Sequence, residues 1–320
     1  EIKKVTYVSV PKYILKVKFL VQIYKIFLGL ILCKREKIDI VAPYYILPHG
    51  LIGSIVGKLR SIPVVFSLMG NAEEIVYARK DLGSLGFIVN YLLFNYSIIT
   101  TTGSVGKKYL VELGIKNDKI NHLPDSIDTN KFVITNTEKI YDIVSLGRLA
   151  AVKNIKTLLL MIFLLKKVKT NVKVCIVGSG PESHFLQRLS KKLGLDSNVD
   201  FLGYRTDTHN YFSKSLIYIC SSIHEGMPMS MLEAMASGTA VITSNVGDIS
   251  DLAVHKHNCL LVEDPYDTIQ FYNHTLELLN NENLREELFV NARSDVEDRY
   301  GYTGASKSWI RTIKKLGIKI

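Results

Sequence analysis

The chain has 320 residues and a mass of 36.1 kDa, more than one hydrophobic core usually supports, so two domains are expected. Its net charge of +10 suits an anionic partner, but no module interleaves basic and aromatic residues, which argues against nucleic acid. The four cysteines, Cys33, Cys175, Cys220 and Cys259, are scattered without a Cys-x-x-Cys spacing; this excludes a disulfide scaffold and fits a reducing, cytoplasmic setting.

Short apolar runs predict strands at Val5–Val10, Ile38–Val41, Val64–Leu68, Ile98–Thr101 and Ile120–Leu123, with helices between them. The longest apolar run, Phe19 to Cys33, has 15 residues and is interrupted by Gln22 and Lys25, so it is too short and too polar to span a bilayer. No secretory signal is visible. The overlapping segment Lys12–Phe27 is basic and amphipathic. It reads either as a packing helix with solvated lysines or as a peripheral contact with anionic membrane, on the inner face. A polar stretch from Asp128 to Ile140 reads as a linker.

Beyond it, strands are predicted at Asp142–Leu146, Val172–Val177, Val199–Leu202, Leu216–Cys220, Ala240–Thr243 and Cys259–Val262. Helical patterns fall at Asn154–Val168, Pro181–Leu193, Ser230–Ser237 and Asp248–Val254, and Asn283–Trp309 reads as one charged amphipathic helix. Strand–helix alternation with near-continuous apolar strands implies a parallel sheet covered on both faces. The expected architecture is α/β: two Rossmann-like, doubly wound parallel-sheet domains facing across a cleft. The domains are 1–128 and 141–298, the linker is 129–140, and a segment at 299–320 packs back on the first domain. Ligands in such sheets sit at the carboxyl ends of the strands.

The densest chemistry lies in HEGMPMSMLEAMASG, His224–Gly238. Glu225 precedes a Gly-Met-Pro turn, and Glu233 lies one turn inside a helix opening near Ser230. A helix start offers unpartnered N–H groups and partial positive charge to a phosphate, and carboxylates accept bonds from sugar hydroxyls. Ser230-x-x-Glu233 is also a capping box, which needs no ligand; both readings of Glu233 stand on the residues alone. GRLAAVKN, Gly147–Asn154, places Arg148 and Lys153 after a strand, where they suit a diphosphate or a solvated loop. VGSGPE, Val177–Glu182, invites a dinucleotide reading, but Ser183 stands where the third glycine of that fingerprint belongs, which disfavours a dehydrogenase. His255, His257 and Cys259 alternate, yet no second cluster has metal-ligand spacing.

These segments, together with FLGYRTD and SNVGD, occur in an order that resembles the retaining glycosyltransferases of family four, with the GT-B fold, over about residues 38–315. The resemblance implies that Arg148 and Lys153 hold the donor diphosphate, that Glu233 takes the ribose hydroxyls and that Glu225 lies near the donor sugar. It implies that the backbone of Gly226, Met227, Pro228, Met229 and Ser230, with Gly178, approaches sugar and phosphate, and that Tyr204 and Arg205 lie near the base. No metal or other cofactor is implied. The first domain departs from the family pattern: no strand with a Gly-rich turn stands at the start, so the chain reads as incomplete at its N-terminus. Met69-Gly70 replaces a His-Gly pair, and Asp248 replaces a second glycine. His49 is the substitute histidine on the acceptor side, beside Gly70; a surface turn is its plainer reading.

The expected function is transfer of a sugar, with retention, from a nucleotide-diphosphate sugar to a saccharide or lipid-linked acceptor, in cell-surface polysaccharide or glycolipid biosynthesis. The rival readings are a non-catalytic nucleotide-sugar binder or truncated remnant, and a sugar-nucleotide epimerase.

Overall fold

A computed structural model describes residues 6–69 and 71–318. The chain divides into two compact units, Glu1–Leu123 with Trp309–Ile320, and Pro124–Ser308.

The first unit contains α1 (Lys18–Arg35), α2 (Leu51–Arg60), β1 (Val65–Leu68), α3 (Asn71–Leu82), α4 (Phe87–Asn95), β2 (Ile98–Thr101), α5 (Ser104–Glu112) and β3 (Ile120–His122). Its parallel sheet has the order β1-β2-β3, with Val65 opposite Ile98 and Ile99 opposite Ile120. Every residue of β1 and β2 is buried, as parallel strands covered on both faces require. Phe66 stacks on Tyr96 with ring centroids 4.8 Å apart, within a core that includes Ile75, Leu93 and Leu110. No helix among the described residues is long and apolar enough to cross a membrane.

Two predicted strands do not form. Of Val5–Val10, residues 6–10 belong to no sheet, Tyr7 stands 92% exposed, and Val5 lies outside the described residues; an apolar run without a neighbouring ladder has nothing to make it a strand. Ile38–Val41 fails for a nameable reason. The segment does run beside β1: the Val65 N–H donates to the Val41 carbonyl at 2.9 Å, and the Ser67 N–H to the Pro43 carbonyl at 3.0 Å. Pro43 has no N–H to return, so the ladder is reduced to isolated bridges at Val41–Val64 and Tyr44–Ser67.

The second unit contains β4 (Tyr141–Leu146), α6 (Ile155–Lys166), β5 (Val174–Val177), α7 (Ser183–Lys192), β6 (Val199–Gly203), α8 (Thr208–Ser213), β7 (Ser215–Cys220), α9 (Met229–Ala236), β8 (Ala240–Ser244), β9 (Leu260–Val262), α10 (Thr268–Asn280) and α11 (Glu282–Arg299). Its strands are parallel in the order β6-β5-β4-β7-β8-β9. The chain starts at the centre, winds outward to β6, then crosses back to β7 and winds the other way. That reversal, between β4 and β7, is where a doubly wound sheet opens a crevice at its carboxyl edge. One face carries a core around Leu158, Ile162, Ile217 and Phe271; the other packs Tyr218, Met231, Met235 and Val296.

Two helix predictions are corrected here. Asp248–Val254 forms only a 3-10 turn, Gly247–Asp251. Asn283–Trp309 is two helices, α11 and α12 (Tyr302–Lys315). The break at Tyr300–Gly301 occurs because the Tyr300 carbonyl accepts the Ile127 N–H at 2.9 Å, forming a short bridge between Ile127 and Gly301.

Residues 124–140, without regular structure, form a strap in the second unit. Arg293 on α11 fixes it: the guanidinium donates to the carbonyls of Phe132 at 2.8 Å and Thr129 at 3.3 Å, and to that of Ala236 at the end of α9. Glu297 pairs with the same guanidinium at 2.5 Å. Phe132 is buried, edge-on to Phe212 at 6.3 Å.

Candidate functional site

The loops after β4 and β7 flank the reversal point, and each supplies one member of an ion pair. Lys153 Nζ lies 2.5 Å from Glu225 Oε1, and the Ser222 hydroxyl donates to that same oxygen at 2.5 Å. The backbone prepares this meeting. Ile223 N–H donates to the Val152 carbonyl at 2.9 Å, and the Ser221 hydroxyl to the Lys153 carbonyl at 3.1 Å. Only a tenth of the Glu225 side chain and a quarter of that of Lys153 are exposed (11% and 24%).

Around this pair lies a cavity of about 930 Å³, within the size range of small-molecule sites. Arg148, Lys153, Glu225 and Glu233 all line it, as do Gly178, Tyr204, Arg205, Met227, Pro228, Met229 and Ser230. Gly226 belongs to the same loop but not to the cavity wall. Arg148 is exposed, so its guanidinium has room to reach a ligand.

Two glycines let the loops close on one another. A β carbon at Gly178 (φ +140°) would stand 1.8 Å from the Gly147 carbonyl oxygen, and one at Gly247 (φ +58°) would stand 1.8 Å from the Glu225 carbonyl oxygen. Beside Gly247, Asp248 is fully buried; burial, with the charge of Asp248 second, pushes the Asp125 carboxyl above its ordinary value.

The capping box is overturned. α9 begins one residue earlier than Ser230, with Pro228 (ψ 117°) at the N-cap and no side-chain cap bond. Ser230 instead shares a 2.7 Å hydrogen bond with the Tyr218 hydroxyl. Glu233 is thereby released from capping and lines the cavity. Burial raises its carboxyl from 4.5 to about 7, while the charge of Lys131 and a hydrogen bond from Thr208 draw it down.

Lys131, Phe132, Thr206 and Thr208 also line the cavity, and sequence reasoning missed them. Lys131 sits on the strap, a hundred residues from Glu233, in a stretch with no periodicity and no motif. The cavity therefore has four cationic side chains, Lys131, Arg148, Lys153 and Arg205, against two carboxylates.

In the first unit, His49 is exposed on a tight turn, Ile46–Gly50. The Glu74 carboxylate accepts the Ile46 N–H at 2.7 Å and the Met69 N–H at 3.0 Å, so one acid organises both the His49 turn and the end of β1. Gly70 lies outside the described residues. The His255 ring accepts the Leu261 N–H through Nδ1 at 3.0 Å, and Cys259 is buried.

The strand order places the cavity at the reversal point of a doubly wound α/β unit, where sheets of this kind bind their ligands. The family model for glycosyl transferases group 1 matches residues 126–295, just over half of the chain, and the chain belongs to that family. A glycosyltransferase of Haemophilus influenzae, itself uncharacterised, is 32% identical over 169 residues, which is 52% of this chain and 47% of that protein. The chain thus spans about half the length of this relative. N-acetyl-alpha-D-glucosaminyl L-malate synthase of Bacillus anthracis is 24% identical over 83% of this chain and 72% of its own. Anabaena HepE, solved in complex with UDP, superposes with a TM-score of 0.78 at 16% identity, covering 90% of this chain and 81% of that one. The fold is GT-B, with two Rossmann-like α/β units.

Proposed function

We propose that the chain is a retaining glycosyltransferase whose second unit binds a nucleoside-diphosphate sugar in the 930 Å³ cavity and passes the sugar to a saccharide or lipid-linked acceptor. The pathway is assembly of a surface polysaccharide or glycolipid. The observation that carries this reading is the charge pattern of the cavity: four cations and two acids converging where a doubly wound sheet binds nucleotides.

Lys153 and Arg148 bind the diphosphate, in charge-assisted bonds about twice as strong as neutral ones. Glu225 orients the Lys153 ammonium and faces the donor sugar. Glu233 accepts the ribose hydroxyls, Tyr204 and Arg205 flank the base, and the opening turn of α9 presents backbone N–H groups to phosphate. The acceptor hydroxyl attacks the anomeric carbon from the face the diphosphate leaves. The new carbon–oxygen bond forms as the carbon–phosphate oxygen bond breaks, the acceptor proton passes to the departing phosphate oxygen, and the cations neutralise the charge left behind. No protein nucleophile is needed.

Titration calorimetry with UDP, GDP, ADP and dTDP tests the assignment. Arg148→Ala and Lys153→Ala each weaken the nucleotide that binds by about tenfold or more; unchanged affinity in both variants removes the diphosphate assignment. Binding with no transfer to any acceptor favours a non-catalytic binder.

A peripheral membrane contact is a second part of the proposal, supported by α1, which exposes Phe19, Leu20, Ile23 and Phe27 within the lysine-bearing segment 12–27. The expected result is co-sedimentation with phosphatidylglycerol vesicles but not with neutral ones, abolished by high salt. Equal recovery with both vesicle types ends this part of the proposal.

A further inference from the structure

We infer that Ser222 is a positioning residue: its hydroxyl holds the Glu225 carboxylate, so that the Lys153 ammonium can turn to the donor diphosphate without releasing the acid that faces the sugar. The inference rests on the reading of the cavity as a nucleoside-diphosphate site and gives a task to a side chain outside the cavity wall.

On that reading Lys153 has two anions to serve. Its ammonium lies 2.5 Å from Glu225 Oε1, and the diphosphate calls on the same charge. An ammonium has three N–H groups, but each anion it meets weakens its hold on the other. A carboxylate kept in place by Lys153 alone would swing as the diphosphate arrives. Ser222 supplies the second hold. Its hydroxyl donates to Glu225 Oε1 at 2.5 Å, the short separation typical of an O–H bond to a charged oxygen. Both bonds end on Oε1, so neither occupies Oε2, and that oxygen is the one to accept from a sugar hydroxyl.

The serine itself has little freedom. It is buried, 1% exposed, and is not part of the cavity wall. The Ser244 hydroxyl, at the end of β8, donates to its carbonyl at 2.5 Å, and the next residue, Ile223, donates its N–H to the Val152 carbonyl at 2.9 Å. At the end of β7 the Cys220 thiol donates to Ser222 Oγ at 3.4 Å. Burial keeps that thiol above its ordinary value, so it retains the proton it donates. The donors therefore run in one direction, thiol to hydroxyl to carboxylate, and the serine proton is aimed at Oε1. Ser221 next door does something else. Its hydroxyl donates to the carbonyls of Lys153 and Asn154, both at 3.1 Å, which fixes loop backbone and touches no acid.

Two experiments test this. In ligand-free crystals of Lys153→Met, Glu225 Oε1 is expected to stay within hydrogen-bonding distance of the Ser222 hydroxyl. In Lys153→Met/Ser222→Ala the carboxylate is expected to turn away. A carboxylate that leaves Ser222 in the first variant, or keeps its place in the second, overturns the inference. By calorimetry, Ser222→Ala is expected to bind UDP, or whichever of the four nucleotides binds, within about twofold of wild type, and the glucose conjugate of that nucleotide about fivefold more weakly. Ser221→Ala, the backbone control, is expected to weaken both ligands by the same factor. Equal losses for the two ligands in Ser222→Ala mark the serine as a brace of the loop, and no loss in either marks it as idle; both results overturn the inference. If no nucleotide binds the wild type, the donor reading fails, and the two crystal structures still decide whether Ser222 holds Glu225.

Discussion

The sheets of the two units use the same device, parallel apolar strands joined through helices, but finish it differently. In the second unit β4 lies at the centre, five further strands extend from it on both sides, and the loops at the carboxyl edge touch backbone to backbone through Gly178 and Gly247. In the first, the segment beside β1 stalls at Pro43 as two lone bridges, and α1 leaves large apolar side chains exposed. The contrast teaches that the charged side chains of the cavity owe their positions to loop backbones with no slack, whereas the first unit carries its features on turns and helix surfaces.

The sharpest way to break this comparison is at the loop contacts. Gly178→Ala puts a β carbon on the Gly147 carbonyl and is expected to destabilise the second unit by about 3 kcal/mol or more, with loss of nucleotide binding. Thermal unfolding and calorimetry check both. A variant as stable as wild type shows that the loops can part, and the comparison falls.

Glu233→Gln is expected to have a smaller effect that depends on pH. The folded chain holds the Glu233 proton with a value of about 7 against an ordinary 4.5. The stabilisation this gives is complete below 4.5 and is lost as pH rises through 7. The glutamine has no such dependence, so wild type should weaken relative to it by about 1–3 kcal/mol between pH 5 and 8. Denaturant titrations at the two pH values read the difference, and parallel curves sink the assignment. Smallest of all is Gly194→Ala, where φ is +69° but nothing lies within 4 Å. Strain alone should cost about 1 kcal/mol, and the gap from Gly178→Ala measures what the close approach adds.

Much of the second unit was legible because its strands are buried on both faces, so runs such as Ile217–Cys220 and Ala240–Thr243 are uninterrupted in the sequence. What failed did so where a backbone group, not a pattern, decides. Pro43 withholds one donor and a strand disappears; Pro228 takes the cap position and Ser230 turns to Tyr218. The meeting of Lys153 with Glu225 is a consequence of strand order, which periodicity does not encode. Lys131 was invisible for a similar reason: its place depends on a guanidinium more than 160 residues away.

Gly247 sets the backbone that carries Glu225. A β carbon at position 247 would stand 1.8 Å from the backbone carbonyl oxygen of Glu225, so the turn that carries this acid can pack here only against glycine. Nineteen amino acids are thereby barred from position 247 by crowding alone, and emptiness at one point in the chain becomes the condition for chemistry at another.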